Sequence, residues 1–487
     1  MKNKSLGLNA FLNGLKSTLN LLFPLITFPY VSRVLGVKGI GVYNYSNSIV
    51  SYFLLIAALG ISTYAIREGA KYRDDKKQIN EFASEIFTIN IWSTLVSYIL
   101  LFACLIIFTN LHGYASCILI FSVQIFFTTL GMDWVYSIYE DYAYITVRSI
   151  FFQIVSLILL FIFVRSKNDY LNYAIITVFS SIGSNIFNFV HARMFVKVKL
   201  TWDIPWKHHL LPIFIIFASN VAIMVFVNSD ITILGIMKNT YVVGLYSVAA
   251  KVYSIIKNLL ASLLIVTVPR LAMLMGKRRM NEYNKILTKV INMLLLFTLP
   301  AMTGLFMLSK EVVLIISGRS FLAATPSLQI LCFALIFSLF SWVMSDCVLI
   351  PIKREKFVLI GTVISAIINI CLNLILIPFW SEKAAALSTV AAEASMMISN
   401  LYFSRDIISK IIKSGNFRNN LLSSLLGCSG IVLICWLCDI GWESFFLKTL
   451  FSIILSVVIY SAILIFLNNA TIISIMKGIK NKLIKYK

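Results

Sequence analysis

Charged residues and long polar stretches are scarce in this chain. Asp, Glu, Lys and Arg make up 13% of the 487 residues, while hydrophobic residues make up 59%. Soluble domains need about a quarter of their residues charged, so the composition excludes a large soluble domain. Four histidines in or near loops give no catalytic grouping, and the eight cysteines show no metal or disulfide spacing. A nucleotide-binding loop is also missing. We therefore expect no enzyme, no metal and no cofactor.

Hydrophobic runs, by contrast, repeat along the whole chain. A bilayer core needs roughly 20 helical residues to be crossed, and backbone groups inside it must be paired within the segment. The sequence predicts an all-α polytopic membrane protein, without an evident cleavable signal peptide. We expect about fourteen transmembrane helices, at 12–34, 40–66, 82–109, 115–137, 145–164, 170–194, 211–236, 243–269, 286–308, 323–350, 358–378, 385–404, 421–439 and 447–467.

The distribution of Lys and Arg predicts the orientation. With the N-terminus inside, 31 of these residues fall in cytoplasmic segments and 9 in outer segments, a bias typical of cytoplasmic loops. Both termini should therefore be cytoplasmic. Anionic lipid headgroups account for the basic loops, so the net charge of +22 requires no nucleic acid.

Matching residues recur at a fixed interval and indicate an internal repeat. Gly41 and Gly244, Tyr43 and Tyr246, and Arg67 and Arg270 are each 203 residues apart. Six spans per repeat predict two parallel repeats related by an axis along the membrane normal, with the substrate path between them. We expect an N-terminal bundle at 1–208, a second six-helix bundle at 209–405, and two further helices with a basic amphipathic tail at 406–487. Chance recurrence of such residues is the rival explanation.

Four stretches resemble the bacterial polysaccharide repeat-unit flippases. They are residues 23–43 (FPLITFPYVSRVLGVKGIGVY), 60–77 (GISTYAIREGAKYRDDKK), 133–148 (DWVYSIYEDYAYITVR) and 369–393 (NICLNLILIPFWSEKAAALSTVAAE). That group contains the O-antigen and capsule transporters and belongs to the multidrug/oligosaccharidyl-lipid/polysaccharide exporter superfamily. The third stretch has Ser137 and Ile138 where the family usually has a glycine after the aromatic residue.

The resemblance implies a fold and a function. The fold is two six-helix bundles arranged in a V, with two added C-terminal helices. The activity is movement of an undecaprenyl-diphosphate-linked oligosaccharide across the bacterial inner membrane by alternating access, coupled to an ion gradient. The expected partners are this lipid-linked glycan, membrane lipids, and the polysaccharide polymerase and chain-length machinery.

Cations within spans are the first candidates for substrate binding. Lys251 and Lys257 lie in one predicted span, and a mid-membrane lysine normally faces a cavity or a partner. We expect both to face water between the bundles and to hold the diphosphate. Lys251 has a structural alternative, pairing with Asp230, whereas Lys257 has no acidic residue evident at its level. Arg33 and Arg148, near span ends, are second candidates, with interfacial anchoring as their alternative.

Polar and acidic residues within spans complete the candidate list. Asn369 and Asn373 lie one helical turn apart and could contact the glycan, although such residues more often join helices. Asp230 and Glu393 are candidates for ion coupling. A buried carboxylate at Glu393 could titrate or pair with a lysine.

Two alternative functions stay open. A drug exporter of the same superfamily would favour an acidic cavity, while this chain offers intramembrane lysines. A membrane polysaccharide polymerase or acyltransferase is the less favoured alternative, because the longest outer segment is short, at about residues 309–322.

Overall fold

The computed structural model describes residues 6–265, 267–441, 445–469 and 471–473, with side chains from residue 23 onward except 263–265 and 441. Throughout these residues the chain forms helices and short connections, without β-strands. The helices are α1 Leu6–Ala58, α2 Ile61–Tyr72, α3 Lys76–Ile107, α4 Ala115–Gly131, α5 Asp133–Ile138, α6 Tyr142–Phe163, α7 Tyr170–Ile182, α8 Asn185–Ala192, α9 Trp206–Met237, α10 Thr240–Ile265, α11 Val268–Gly276, α12 Met280–Met307, α13 Ser309–Ser317, α14 Thr325–Trp342, α15 Glu355–Phe403, α16 Arg405–Ile412, α17 Gly415–Gly441 and α18 Phe445–Phe466. A π-helical segment, Val343–Leu349, continues α14.

The described residues contain eleven helical segments long and apolar enough to cross a membrane. Many of their large apolar side chains are exposed, as lipid-facing surfaces require; Ile106, Ile107 and Phe108 are examples. The prediction of an all-α polytopic membrane protein is therefore confirmed. The count of fourteen spans stays a prediction.

Two of the eleven segments are about fifty residues long and contain a break in the helix. Gly36 in α1 has φ 67°, a conformation that costs glycine little and other residues more. Ser381 in α15 also has a positive φ, of 51°. These breaks lie within the predicted loops 35–39 and 379–384, between spans 1 and 2 and between spans 11 and 12. The sequence thus predicted an interruption at both positions, and in each helix the interruption is a single residue with non-helical dihedral angles.

The chain forms two compact units, Met1–Ser247 and Val248–Lys487. In the N-terminal unit, α2, α3, α5 and the start of α9 bury a core around Tyr64 and Ile86. In the C-terminal unit, α11, α12, the π-helical segment and α16 bury a core around Tyr283 and Leu287. In each unit a short helix and the long helix after it contribute to such a core. The predicted bundle boundaries and their rotational relationship stay predictions, and the basic tail from residue 474 lies outside the described residues.

Candidate substrate site

Lys257 forms an ion pair deep within the C-terminal unit. Its Nζ lies 2.9 Å from Oε1 of Glu393, which is in the part of α15 that follows the break at Ser381. The Glu393 side chain is only 6% exposed, whereas that of Lys257 is 31% exposed. The Glu393 carboxylate is therefore enclosed by protein, while the Lys257 side chain is partly exposed. The expectation that Lys257 has no acidic residue at its level is wrong, since Glu393 occupies that position.

Tyr253 completes this group from one turn earlier on α10. Its hydroxyl donates to the same Glu393 oxygen over 3.2 Å, and its ring lies 5.6 Å from the Lys257 ammonium. A buried carboxylate needs several donors to offset its lost hydration. Tyr253 and Lys257 supply two of them. Sequence reasoning missed Tyr253, although its spacing of four residues from Lys257 places both on one helix face.

Lys251 is half-buried on the same helix, six residues earlier. Within the described part of the C-terminal unit it forms no ion pair with a carboxylate. Asp230, its predicted alternative partner, is buried near the end of α9 and accepts a hydrogen bond from the Tyr246 hydroxyl. The Asp230 carboxylate is therefore hydrogen-bonded to a neutral hydroxyl group.

Arg148 lies on α6, and only 10% of its side-chain surface is exposed. The guanidinium lies 5.4 Å from the centre of the Tyr144 ring, and Nη2 lies 3.9 Å from an Asp133 oxygen. Nε and Nη1 have no hydrogen-bond partner among the described residues. Arg148 is therefore a buried cation with spare donors, which an interfacial anchor does not require.

The remaining predicted residues divide into a buried pair and an exposed cation. Asn369 and Asn373 are completely buried, and Nδ2 of Asn373 donates to Oδ1 of Asn369 over 3.0 Å. Both side chains are enclosed by protein in this conformation, as in asparagines that join helices. Arg33 is exposed, three residues before the break at Gly36. Contact of these residues with substrate stays a prediction.

A buried histidine network was not predicted. His209, near the start of α9, is 3% exposed at its side chain although sequence reasoning placed it in or near a loop. Its Nε2 lies 2.9 Å from Oε2 of Glu85 on α3, and its Nδ1 lies 2.8 Å from the Tyr64 hydroxyl on α2. Because a carboxylate only accepts, Nε2–H donates to Glu85; in the neutral imidazole Nδ1 then accepts from the Tyr64 hydroxyl. The network ties three helices together.

An apolar groove of about 540 Å³ lies in the C-terminal unit between α10, α12, α17 and α18. Its walls include Ile256, Leu260, Leu296 and Phe297. Tyr460 on α18 also lines it and is fixed by a 2.8 Å hydrogen bond from its hydroxyl to the Leu296 carbonyl. Ile256 precedes Lys257 on α10, so the groove reaches the helical turn that carries the ion pair.

Comparison with known proteins gives the family and the fold. The profile of the family described as "Polysaccharide biosynthesis protein" matches residues 6–275. A putative O-antigen transporter of Escherichia coli K12 is 23% identical over 256 residues, which cover 52% of this chain and 61% of that protein, less than two thirds of its length. A putative O-antigen transporter of Shigella dysenteriae is 22% identical over 385 residues, covering 78% of this chain and 95% of that protein.

Two solved structures share the fold. The lipid II flippase MurJ, in an inward closed conformation, matches with a TM-score of 0.74 at 19% identity, over 94% of this chain and 99% of that one. An inward-facing multidrug resistance MATE family transporter of the MOP superfamily matches with a TM-score of 0.61 at 14% identity, over 81% and 96%. The resemblance noted in the sequence is confirmed. This chain, a multi-pass membrane protein similar to O-antigen transporters, belongs to the polysaccharide biosynthesis protein family.

Proposed function

We propose that this protein is a flippase for undecaprenyl-diphosphate-linked oligosaccharide repeat units, moving them from the inner to the outer leaflet by alternating access. The observation that carries this proposal is the similarity to O-antigen transporters, which in one case extends over 95% of the relative's length. The structure adds a lysine within a predicted span and an apolar groove that begins at the residue before it on α10. Those two features suit the two halves of a lipid-linked diphosphate.

Lys257 is the proposed contact for the diphosphate. Its ammonium group is positive, a third exposed, and held on one side by Glu393. A phosphate oxygen can approach from the exposed side and compete with the carboxylate for the same N–H donors. The groove beside Ile256 then accommodates part of the polyprenyl chain, whose apolar surface needs no polar partner.

Glu393 supplies the proposed ion coupling. If Lys257 turns toward a diphosphate, the carboxylate loses its cation while staying enclosed. A buried carboxylate without a cation is too costly to persist, and it neutralises by taking up a proton. Substrate binding and proton uptake are thereby linked through one ion pair. Arg148, with its spare donors, is a further proposed anion contact in the N-terminal unit.

The test uses a strain that lacks its own flippase and measures the surface polysaccharide restored by each variant at matched protein level. We expect Lys257→Gln to restore little and Lys257→Arg to restore more, because the charge is kept. Lys277→Gln, which alters an exposed lysine after α11, is the matched control and should behave as wild type.

The double variant Lys257→Gln, Glu393→Gln separates binding from structural pairing. It removes both charges, so a purely structural pair predicts recovery of polysaccharide, whereas a diphosphate contact predicts continued loss. Normal polysaccharide with Lys257→Gln alone would overturn the site. Failure of wild-type protein to restore polysaccharide, together with increased drug resistance, would overturn the flippase in favour of the drug-exporter alternative.

A further inference from the structure

A polar pocket of about 440 Å³ lies between α12, the start of α17 and the residues after α18. Its lining residues are distinct from those of the apolar groove and from the Lys257 group. All of them belong to the C-terminal unit. The pocket lies at the α12 and α17 ends that the distribution of basic residues assigns to the cytoplasmic side.

Two unpaired cations lie at the pocket. Lys285 and Lys289 are exposed and one turn apart on α12, where like charges repel each other. Neither forms an ion pair with a described carboxylate; the nearby Glu282 is paired with Arg279. An anion bound between the two ammonium groups would relieve this repulsion.

A buried acceptor lies on the same face of α12. Asn292 follows Lys285 by seven residues and Lys289 by three, so the three side chains form one stripe. Asn292 is 4% exposed, and its Oδ1 has no hydrogen-bond partner among the described residues. A buried carbonyl oxygen left without a hydrogen-bond donor is unfavourable. The pocket therefore fits a ligand that carries a donor, such as a hydroxyl group, beside its negative charge.

The opposite wall is held in place by its own hydrogen bonds. Asn469, after α18, donates from Nδ2 to Oδ1 of Asn420 over 2.8 Å and to Oγ of Ser423 over 2.7 Å. Asn420 in turn donates to Thr471 over 3.0 Å. These buried contacts fix the wall before any ligand binds, which reduces the entropic cost of binding.

Exposed leucines continue the pocket along the membrane-spanning part of α17. Leu422 and Leu426 line it and are about half exposed, as is Leu467 after α18. Along α17 the lining changes from asparagine near the start of the helix to leucine further into the span, the order in which a lipid changes from headgroup to acyl chain. A soluble anion would gain nothing from these leucines.

We propose that this pocket binds an anionic glycerophospholipid whose headgroup carries a free hydroxyl group, of the phosphatidylglycerol type. Lys285 and Lys289 bind the phosphate, Asn292 accepts from the hydroxyl, and Leu422 and Leu426 contact the acyl chains. The lipid joins α12 to α17. The proposal is independent of the transported substrate, and the diphosphate of a lipid-linked sugar is the competing source of the same phosphate chemistry.

Native mass spectrometry of the full-length protein tests this proposal. The protein is exchanged into an equimolar mixture of phosphatidylglycerol, phosphatidylmethanol and phosphatidylcholine, and the bound lipid is counted. Phosphatidylmethanol has the same charge as phosphatidylglycerol but no free hydroxyl. We expect wild type to retain phosphatidylglycerol first, then phosphatidylmethanol, and the double variant Lys285→Gln, Lys289→Gln to lose at least about tenfold in retention of both. Lys277→Gln is the charge-matched control and should retain both lipids.

Asn292→Leu tests the hydroxyl contact with the phosphate contacts intact. It should bind the two anionic lipids equally, because only the acceptor is lost. Equal retention of phosphatidylglycerol in wild type and in the double lysine variant would overturn the proposal. Binding of a short polyprenyl diphosphate at these lysines, without phosphatidylglycerol, would overturn it in favour of the transported lipid. If the double lysine variant has a lowered melting temperature, the single Lys285→Gln change takes its place. Retention of phosphatidylglycerol equal to that of wild type would again overturn the proposal.

Discussion

Gly41 and Gly244 pack backbone against backbone. A methyl group built on Gly41 would lie 1.7 Å from the carbonyl oxygen of Thr240, and one built on Gly244 would lie 2.0 Å from the carbonyl oxygen of Val37. The two residues are one of the three pairs, 203 positions apart, from which the internal repeat was inferred. Two positions that correspond in the predicted repeat are therefore neighbours in space, and neither has room for a side chain.

Replacing Gly244 should destabilise the protein, because the backbone atoms of Val37 cannot move away as a flexible side chain could. We expect Gly244→Val to cost about 3 kcal/mol or more, at or beyond the upper end of the usual range for overpacking. Thermal unfolding of the purified protein measures this. Gly304→Ala on α12, where a methyl group would meet nothing within 4 Å, is the control. Unchanged unfolding of Gly244→Val would show that the two helices do not pack this closely.

The Lys257–Glu393 pair should respond unequally to removal of its two partners. Lys257→Gln leaves an enclosed carboxylate without its cation, whereas Glu393→Gln leaves a lysine that is already a third exposed. We expect a loss of about 3 kcal/mol for the first change and about 1 kcal/mol for the second. Thermal unfolding of both variants and of the double variant gives the three values. Equal losses for the single variants would contradict the burial difference between the two side chains.

The histidine network should be important for stability. His209→Ala leaves both the Tyr64 hydroxyl and the Glu85 carboxylate without a hydrogen bond that they now make. We expect a loss of about 2 kcal/mol in the free energy of unfolding. His208→Ala alters the exposed neighbouring residue and should change stability little. A smaller loss for His209→Ala than for His208→Ala would exclude the network as a stabilising element.

Reporter fusions test the predicted orientation. Fusions after Lys77, Lys207 and Lys487 should all report the cytoplasm, because these positions follow basic segments. An outside signal at Lys487 with an inside signal at Lys77 would require an odd number of spans between them. The prediction of fourteen spans with both termini inside would then be wrong.

Sequence reasoning located the helices better than it located partners between them. The breaks at Gly36 and Ser381 fell within predicted loops because hydropathy changes there. Glu393 was expected to titrate or to pair with a lysine, but Lys257 was not identified as that lysine because the depth of a residue was counted along each span. Helix tilt and offset, which hydropathy does not record, decide which residues meet across two helices.

The spacing of residues along one helix predicted side-chain contacts better than their depth in the predicted spans did. Asn369 and Asn373 were placed on one helix face and are hydrogen-bonded to each other. His209 lies only four residues into α9, so sequence reasoning placed it near a loop, and its burial depends on α2 and α3 packing over that end of the helix. Contacts that need three helices at once cannot be read from the periodicity of any one of them.

Transport by the purified protein is the most direct test of the flippase proposal. Proteoliposomes are prepared with the protein and an undecaprenyl-diphosphate-linked oligosaccharide, and a glycan-cleaving enzyme is added outside. With wild-type protein and a proton gradient, we expect the cleaved fraction to rise above the outer-leaflet share found in protein-free vesicles. The double variant Lys257→Gln, Glu393→Gln should stay at that share. A cleaved fraction with wild-type protein no greater than in protein-free vesicles, at any imposed gradient, would contradict the proposal that this chain is a lipid-linked oligosaccharide flippase.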